Sequence, residues 1–342
     1  MTQNSVIIYV PTAYNINDFL ITLAFVFLLW NFIICNSVDY CCYGKNSLLH
    51  FIEILNFRVE YMLLNEITEM FQHSFMIRAL VGGTLVSLCA SLLGVSLVLK
   101  RYSMIGDGLS HVGFGSLAVA SAVGCVAPLE VAIPVVVIAA FFLLRLSENS
   151  KIKGDAAIAL ISTSALAIGI TAASMTTGLN TDINSYLFGS IIAMNGTDVI
   201  LCSVLSAVIL VMFVFFYNKI FAVTFDENFA KATGTRAGVY NMIIALLTAL
   251  TIVIGMKMMG SMLISSLIIF PAVISMRMCK RFKTVMITSA VVSVICFFVG
   301  LAISYLYSTP TGASIVIVNL CVLIIFTGIG FVTAKISARK YI

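Results

Sequence analysis

Nine apolar segments follow one another along most of this chain, at residues 77–99, 108–126, 129–146, 155–177, 198–218, 239–256, 258–276, 284–305 and 313–334. A helix of about 20 apolar residues crosses the hydrocarbon core of a bilayer, and several of these runs reach that length. The composition agrees: 61% of residues are hydrophobic, 10% are charged, and the mean hydropathy is +1.13. Soluble domains carry roughly 25% charged residues. The expected fold is therefore all-α and polytopic, with about nine transmembrane helices in one domain over residues 77–342.

The net charge of +5 does not indicate nucleic acid, because the basic residues fall in short clusters between apolar segments. Their distribution sets orientation. Alternate segment ends carry Lys100, Arg101, Arg145, Lys151, Lys153, Lys219, Lys231, Arg236, Arg277, Lys280, Arg281, Lys283, Lys335, Arg339 and Lys340, whereas the opposite ends carry Arg78 and Lys257. Loops rich in Lys and Arg face the cytoplasm. The 77–99 segment is thus expected to start outside, and the C-terminus to end in the cytoplasm of a multi-pass cell-membrane protein.

Residues 1–75 differ in character. The run at 19–35 is at the short limit for a span, and no basic leader or small-residue cleavage site accompanies it. Residues 1–55 read as an extension with an extra anchor helix. Apolar and charged residues alternate at helical spacing over 56–76, which suits an amphipathic helix on the membrane surface. The nine cysteines include no Cys-x-x-Cys pair and read as small apolar residues. Only the adjacent Cys41 and Cys42, in a polar stretch, leave a redox role open.

Against this apolar background one stretch stands out: Gly106-Asp107-Gly108-Leu109-Ser110-His111, near the cytoplasmic end of the 108–126 segment. Ionisable groups in membrane segments are costly and usually face a protein interior or a water-filled pathway. Four residues apart on a helix, Asp107 and His111 stack on one face. A carboxylate and an imidazole so placed can share one metal ion. The spacing equally suits a surface N-cap carboxylate and a buried, hydrogen-bonded structural histidine.

Three further stretches carry information. Residues 182–194 are too short to span and too apolar for a free loop, and they suggest either a short re-entrant helix walling a pathway or a surface helix. Met256, Met258, Met259 and Met262 surround Lys257; thioethers handle soft metals, but core packing explains them as well. The cytoplasmic loop 219–239 contains a short helix that Thr224 or Asp226 caps and Gly234 terminates. There Phe225 and Phe229, one turn apart, present an apolar knob that either folds back on the bilayer or fits a partner's groove.

These stretches together resemble the permease subunits of ATP-binding-cassette importers for zinc and manganese. The resemblance covers about residues 60–342. It rests on Gly106 to His111, Asp155-Ala-Ala-Ile158, Asp182 to Gly189, the loop ending at Gly234, Met259 to Leu263, Pro271-Ala272 and Thr309 to Ser314. It implies a type II ABC importer permease with a re-entrant helix, a homodimer, two cytoplasmic ATP-binding subunits and an extracytoplasmic metal-binding protein. It also implies that Asp107 and His111 line the metal pathway, with Asp155 and Asp182 as further pathway residues. Phe225, Asp226, Glu227, Phe229, Ala230 and Gly234 would form the helix that couples to the ATPase. Two departures are that residues 1–55 have no counterpart and that Thr233 stands where leucine is common.

Transport of a divalent metal, zinc foremost and manganese or iron as alternatives, is the leading reading, with the metal as cargo and no permanently bound cofactor. The chain carries no Gly-x-x-x-x-Gly-Lys-Ser/Thr loop to cradle phosphates, so it is no ATPase itself. A secondary transporter driven by protons or sodium would need carboxylates at midmembrane, and the segments after His111 hold no acidic residue deep within them. An intramembrane hydrolase would need a constellation such as His-Glu-x-x-His, which does not occur.

Overall fold

In a computed structural model of the chain, the residues described are 69–125, 128–149, 154–176, 187, 189 and 196–339, all within the unit Ile67–Ile342. The extension at 1–55, residues 56–68 of the amphipathic stretch and nearly all of 182–194 lie outside them. The described residues form ten helices: α1 Ser74–Leu99, α2 Ser103–Ala122, α3 Pro128–Asn149, α4 Gly154–Ser174, α5 Gly196–Phe225, α6 Glu227–Ala232, α7 Ala237–Met259, α8 Ser261–Met278, α9 Phe282–Tyr307 and α10 Thr311–Arg339. Nine are long, one for each apolar segment. Eight of those are long and apolar enough to cross a membrane, which makes the chain a multi-pass membrane protein. The exception is α2, whose glycines, serines, Asp107 and His111 lower its hydropathy.

Two boundaries move. The loop expected from Lys219 begins only at Asp226, because the apolar run through Ile220, Phe221 and Val223 continues α5 to Phe225. Ile220 and Val223 are fully buried, which rewards that extension. The turn expected near Lys257 sits instead at Gly260, with φ 86° and ψ 159°. Met256, Met258 and Met259 before it are buried, while Met262 after it is exposed. Burial of three of the four methionines fits core packing.

Helix α1 lies at the centre, packed by α5, α7, α8 and α9. Its small residues permit this closeness. Ser289 and Ser293 of α9 donate hydroxyl hydrogen bonds to the backbone oxygens of Ser91 (3.3 Å) and Ser87 (3.1 Å), and Cys89 reaches the Ser206 carbonyl of α5. The tightest crossing is at Gly94, where an added Cβ would stand 1.9 Å from the Ile268 carbonyl oxygen of α8. Backbone cannot step aside as a side chain can. The Gly94→Ala protein is therefore expected to lose stability by about 1–3 kcal/mol, the usual cost of overpacking, read as a lower thermal midpoint in detergent.

Candidate functional site

Although it is the least apolar of the long helices, α2 is held within the protein by α3, α4, α7 and α8. Its close approaches fix its rotation. Gly106 meets Ile268 of α8, and Gly113 meets Met256 of α7; on the other side Gly108 meets Ile158, and Gly115 meets the Ala165 carbonyl of α4. Ser110 bonds its hydroxyl to the Asp107 carbonyl at 2.7 Å and lies 3.2 Å from the Ser265 hydroxyl of α8. At about 100° per residue, Asp107 and His111 then project between the α8 contacts and the α4 contacts.

That strip of α2 is open. The Asp107 side chain is 46% exposed and that of His111 23%, and Met104 one turn earlier is exposed as well. Phe114 closes the strip above them, fully buried against Gly169 of α4. An apolar cavity of about 450 Å³ between α2, α3 and α4 opens farther along, lined by Val119, Val135 and Ile168, and does not include the pair.

The pair is spaced for a shared ion. His111 Nε2 stands 3.7 Å from Asp107 Oδ2, too far for a hydrogen bond. Two donors bound to one tetrahedral metal at about 2.1 Å are separated by about 3.4 Å, so a small side-chain movement closes the gap. His111 Nδ1 is buried with no hydrogen-bond partner among the described residues. Among the described residues no third His, Cys, Asp or Glu joins the pair. Asp155 falls in the first turn of α4, and Asp182 lies outside the described residues.

The second candidate element is α6. Of the two capping candidates Asp226 serves, accepting from the Phe229 N–H at 2.9 Å; the Thr224 hydroxyl is buried with no partner among the described residues. Glu227 and Lys231 close an ion pair at 2.7 Å one turn apart. The exit is a Schellman motif: the Gly234 N–H bonds the Lys231 carbonyl and the Thr235 N–H bonds the Ala230 carbonyl. Gly234 at φ +82° supplies the left-handed residue this turn requires. Ala230 is buried against Val223 and Ala237.

Of the six residues expected to couple, Asp226, Ala230 and Gly234 thus build the helix, and Phe225 and Phe229 are exposed. Phe225 ends α5, where its ring lies 5.1 Å from that of Phe221 and 5.9 Å from that of Phe282.

Glu227 also takes part in a cluster that the spacing of residues could not reveal. Asn241 of α7 donates to Glu227 Oε2 at 3.2 Å, and Lys100, the C-cap of α1, lies 3.9 Å from the same oxygen and bonds the Asn241 side-chain oxygen. The sequence signal was a lone Asn in the 239–256 apolar run. The Lys231 hydrogen bond, helped by Asn241 and Lys100 and opposed by burial, holds the Glu227 carboxyl below its ordinary range. Its contribution is present above the ordinary carboxylate value and is lost as pH falls through that value toward the lowered one. A stability–pH profile should show this acid loss, and Glu227→Gln should flatten it.

The profile of the ABC 3 transport family matches residues 72–329. The "High-affinity zinc uptake system membrane protein ZnuB" of Haemophilus influenzae is 29% identical, over 70% of this chain and 91% of its own. The "Manganese transport system membrane protein MntC" of Halalkalibacterium halodurans is 27% identical, over 73% of this chain and 85% of its own. Among solved structures, one described as "PsaBC from Streptococcus pneumoniae in complex with Fab" superposes with a TM-score of 0.70 at 28% identity, covering 77% of this chain and 94% of that one.

Proposed function

The chain belongs to the ABC 3 transport family, as a membrane permease subunit of ZnuB/MntB-like metal importers, and from that premise we propose that it carries zinc into the cytoplasm past Asp107 and His111. The observation that carries this reading is the 3.7 Å pair on the open strip of α2. Two donors cannot close a tetrahedral sphere. A homodimer that brings two α2 helices to a common axis would supply two carboxylates and two imidazoles, a full set of four, and water replacing one of them leaves the sparser sphere of an ion in transit. A sparse sphere also releases its ion, as a pathway must.

Imidazole suits zinc better than calcium or magnesium, while manganese and ferrous iron accept mixed nitrogen and oxygen ligands too. The relatives named for zinc and for manganese support both. Energy comes from two ATP-binding subunits that receive α6 through Phe225 and Phe229 on the cytoplasmic side, where the C-terminus also lies, and an extracytoplasmic protein delivers the ion.

Vesicles reconstituted with the permease, its ATPase and its binding protein test the metal. Labelled zinc uptake should require ATP and be blocked more strongly by unlabelled zinc than by equal manganese or ferrous iron. Stronger block by manganese or iron would reassign the cargo. Uptake driven by a proton or sodium gradient without ATP would favour a secondary transporter instead.

A further inference from the structure

We propose that Lys100 is a positioning residue that, with Asn241 and Glu227, links the coupling helix α6 to the α1–α2 turn and through it to Asp107 and His111. The inference rests on the importer reading and adds the route by which movement at α6 reaches the metal pair.

Three helix ends meet in this cluster. Lys100 is the C-cap of α1, Glu227 is the first residue of α6, and Asn241 lies one turn into α7. The Lys100 side chain is only 8% exposed and Asn241 only 2%. A buried ammonium and a buried amide are tolerated where they satisfy each other. Here the ammonium bonds the amide oxygen, and the amide nitrogen donates to the carboxylate. A shift of Glu227 therefore disturbs its hydrogen bond to Asn241 and its ion pair with Lys100 together.

The segment beyond Lys100 has little slack. The Arg101 N–H bonds the Val98 carbonyl at 3.0 Å, and the Tyr102 N–H bonds the Leu97 carbonyl at 2.8 Å. Arg101 is held at φ 62°, a conformation that costs a non-glycine residue about 1–2 kcal/mol and that these bonds maintain. Helix α2 starts at Ser103, and Asp107 follows about one turn later. Because helix α2 is regular from Ser103 onward, displacement of Lys100 is passed to Asp107 and His111 with no flexible segment between to absorb it.

The test uses the full transporter with its ATPase and binding protein, reading zinc uptake per ATP hydrolysed beside ATPase retention on purification. Lys100→Met should retain the ATPase and lower that ratio about tenfold, within the span of measured couplings between sites. Lys100→Arg, which keeps the charge, should recover most of it. A wild-type ratio for Lys100→Met overturns the inference and leaves the importer reading standing.

If Lys100→Met does not accumulate, Asn241→Ala, which removes the amide joining Lys100 to Glu227 and keeps both charged residues, is read in the same way. A wild-type ratio there overturns the inference, as does failure of both variants to assemble, which would assign the cluster to folding alone. A wild-type transporter with no ATP-dependent uptake of zinc, manganese or iron would remove the importer reading and this inference together.

Discussion

Asp107→Asn and His111→Ala are each expected to stop metal uptake in the assembled transporter while the protein still folds and binds its ATPase. Losing an outer-shell partner of a bound metal already costs about 10–100-fold, so losing one of two direct ligands should cost at least about 100-fold. Folding should survive because the geometry leaves little behind. The Asp107 side chain is nearly half exposed, and removing the His111 ring strands no group, since its Nδ1 has no partner among the described residues. Asparagine keeps the shape of aspartate but loses the charge that attracts a divalent ion. The check is zinc uptake in reconstituted vesicles beside a thermal midpoint for each variant. Wild-type uptake by either one would withdraw the ligand assignment.

The second large effect is expected at α6. Phe229→Asp should weaken ATPase association by about 2 kcal/mol or more, the scale of an interface hot spot, or about 30-fold in affinity. Phe229 is 65% exposed, so a carboxylate there meets only water until a partner covers it, and then must be desolvated. The helix itself should persist. Asp226 accepts from the backbone N–H at that position, which the substitution keeps, and Glu227, Lys231 and Gly234 hold the rest. Phe225→Ala should cost less in docking, because part of that ring is already spent on Phe221 and Phe282. Co-purification in detergent measures both, and an undiminished complex for Phe229→Asp would remove the docking role.

How much of this could be read along the chain depended on how local the physics was. Each apolar segment reappears as a helix because a backbone in lipid must satisfy its own hydrogen bonds. The placing of Asp107 over His111 follows from 3.6 residues per turn. The α6 stop at Gly234 was legible because caps and left-handed exits involve residues only a few positions apart. The α5 boundary was missed for the converse reason. Lys219 looked like the start of a loop, but burial of Ile220 and Val223 against other helices carries the helix on to Phe225.

The amino-acid order by itself thus determined the number of long helices, the face that Asp107 and His111 share, and the stop of α6 at Gly234. Tertiary structure alone decided which way that face points. The rotation of α2 is set where Gly106 meets Ile268 and Gly115 meets Ala165. It alone also brought Lys100 to Asn241, 141 positions away, and both to Glu227. The reason is physical: periodicity states which residues share a side of a helix, whereas the neighbour on that side is chosen by steric fit and by mutual satisfaction of buried charge, between segments whose spacing in the chain carries no record of the meeting.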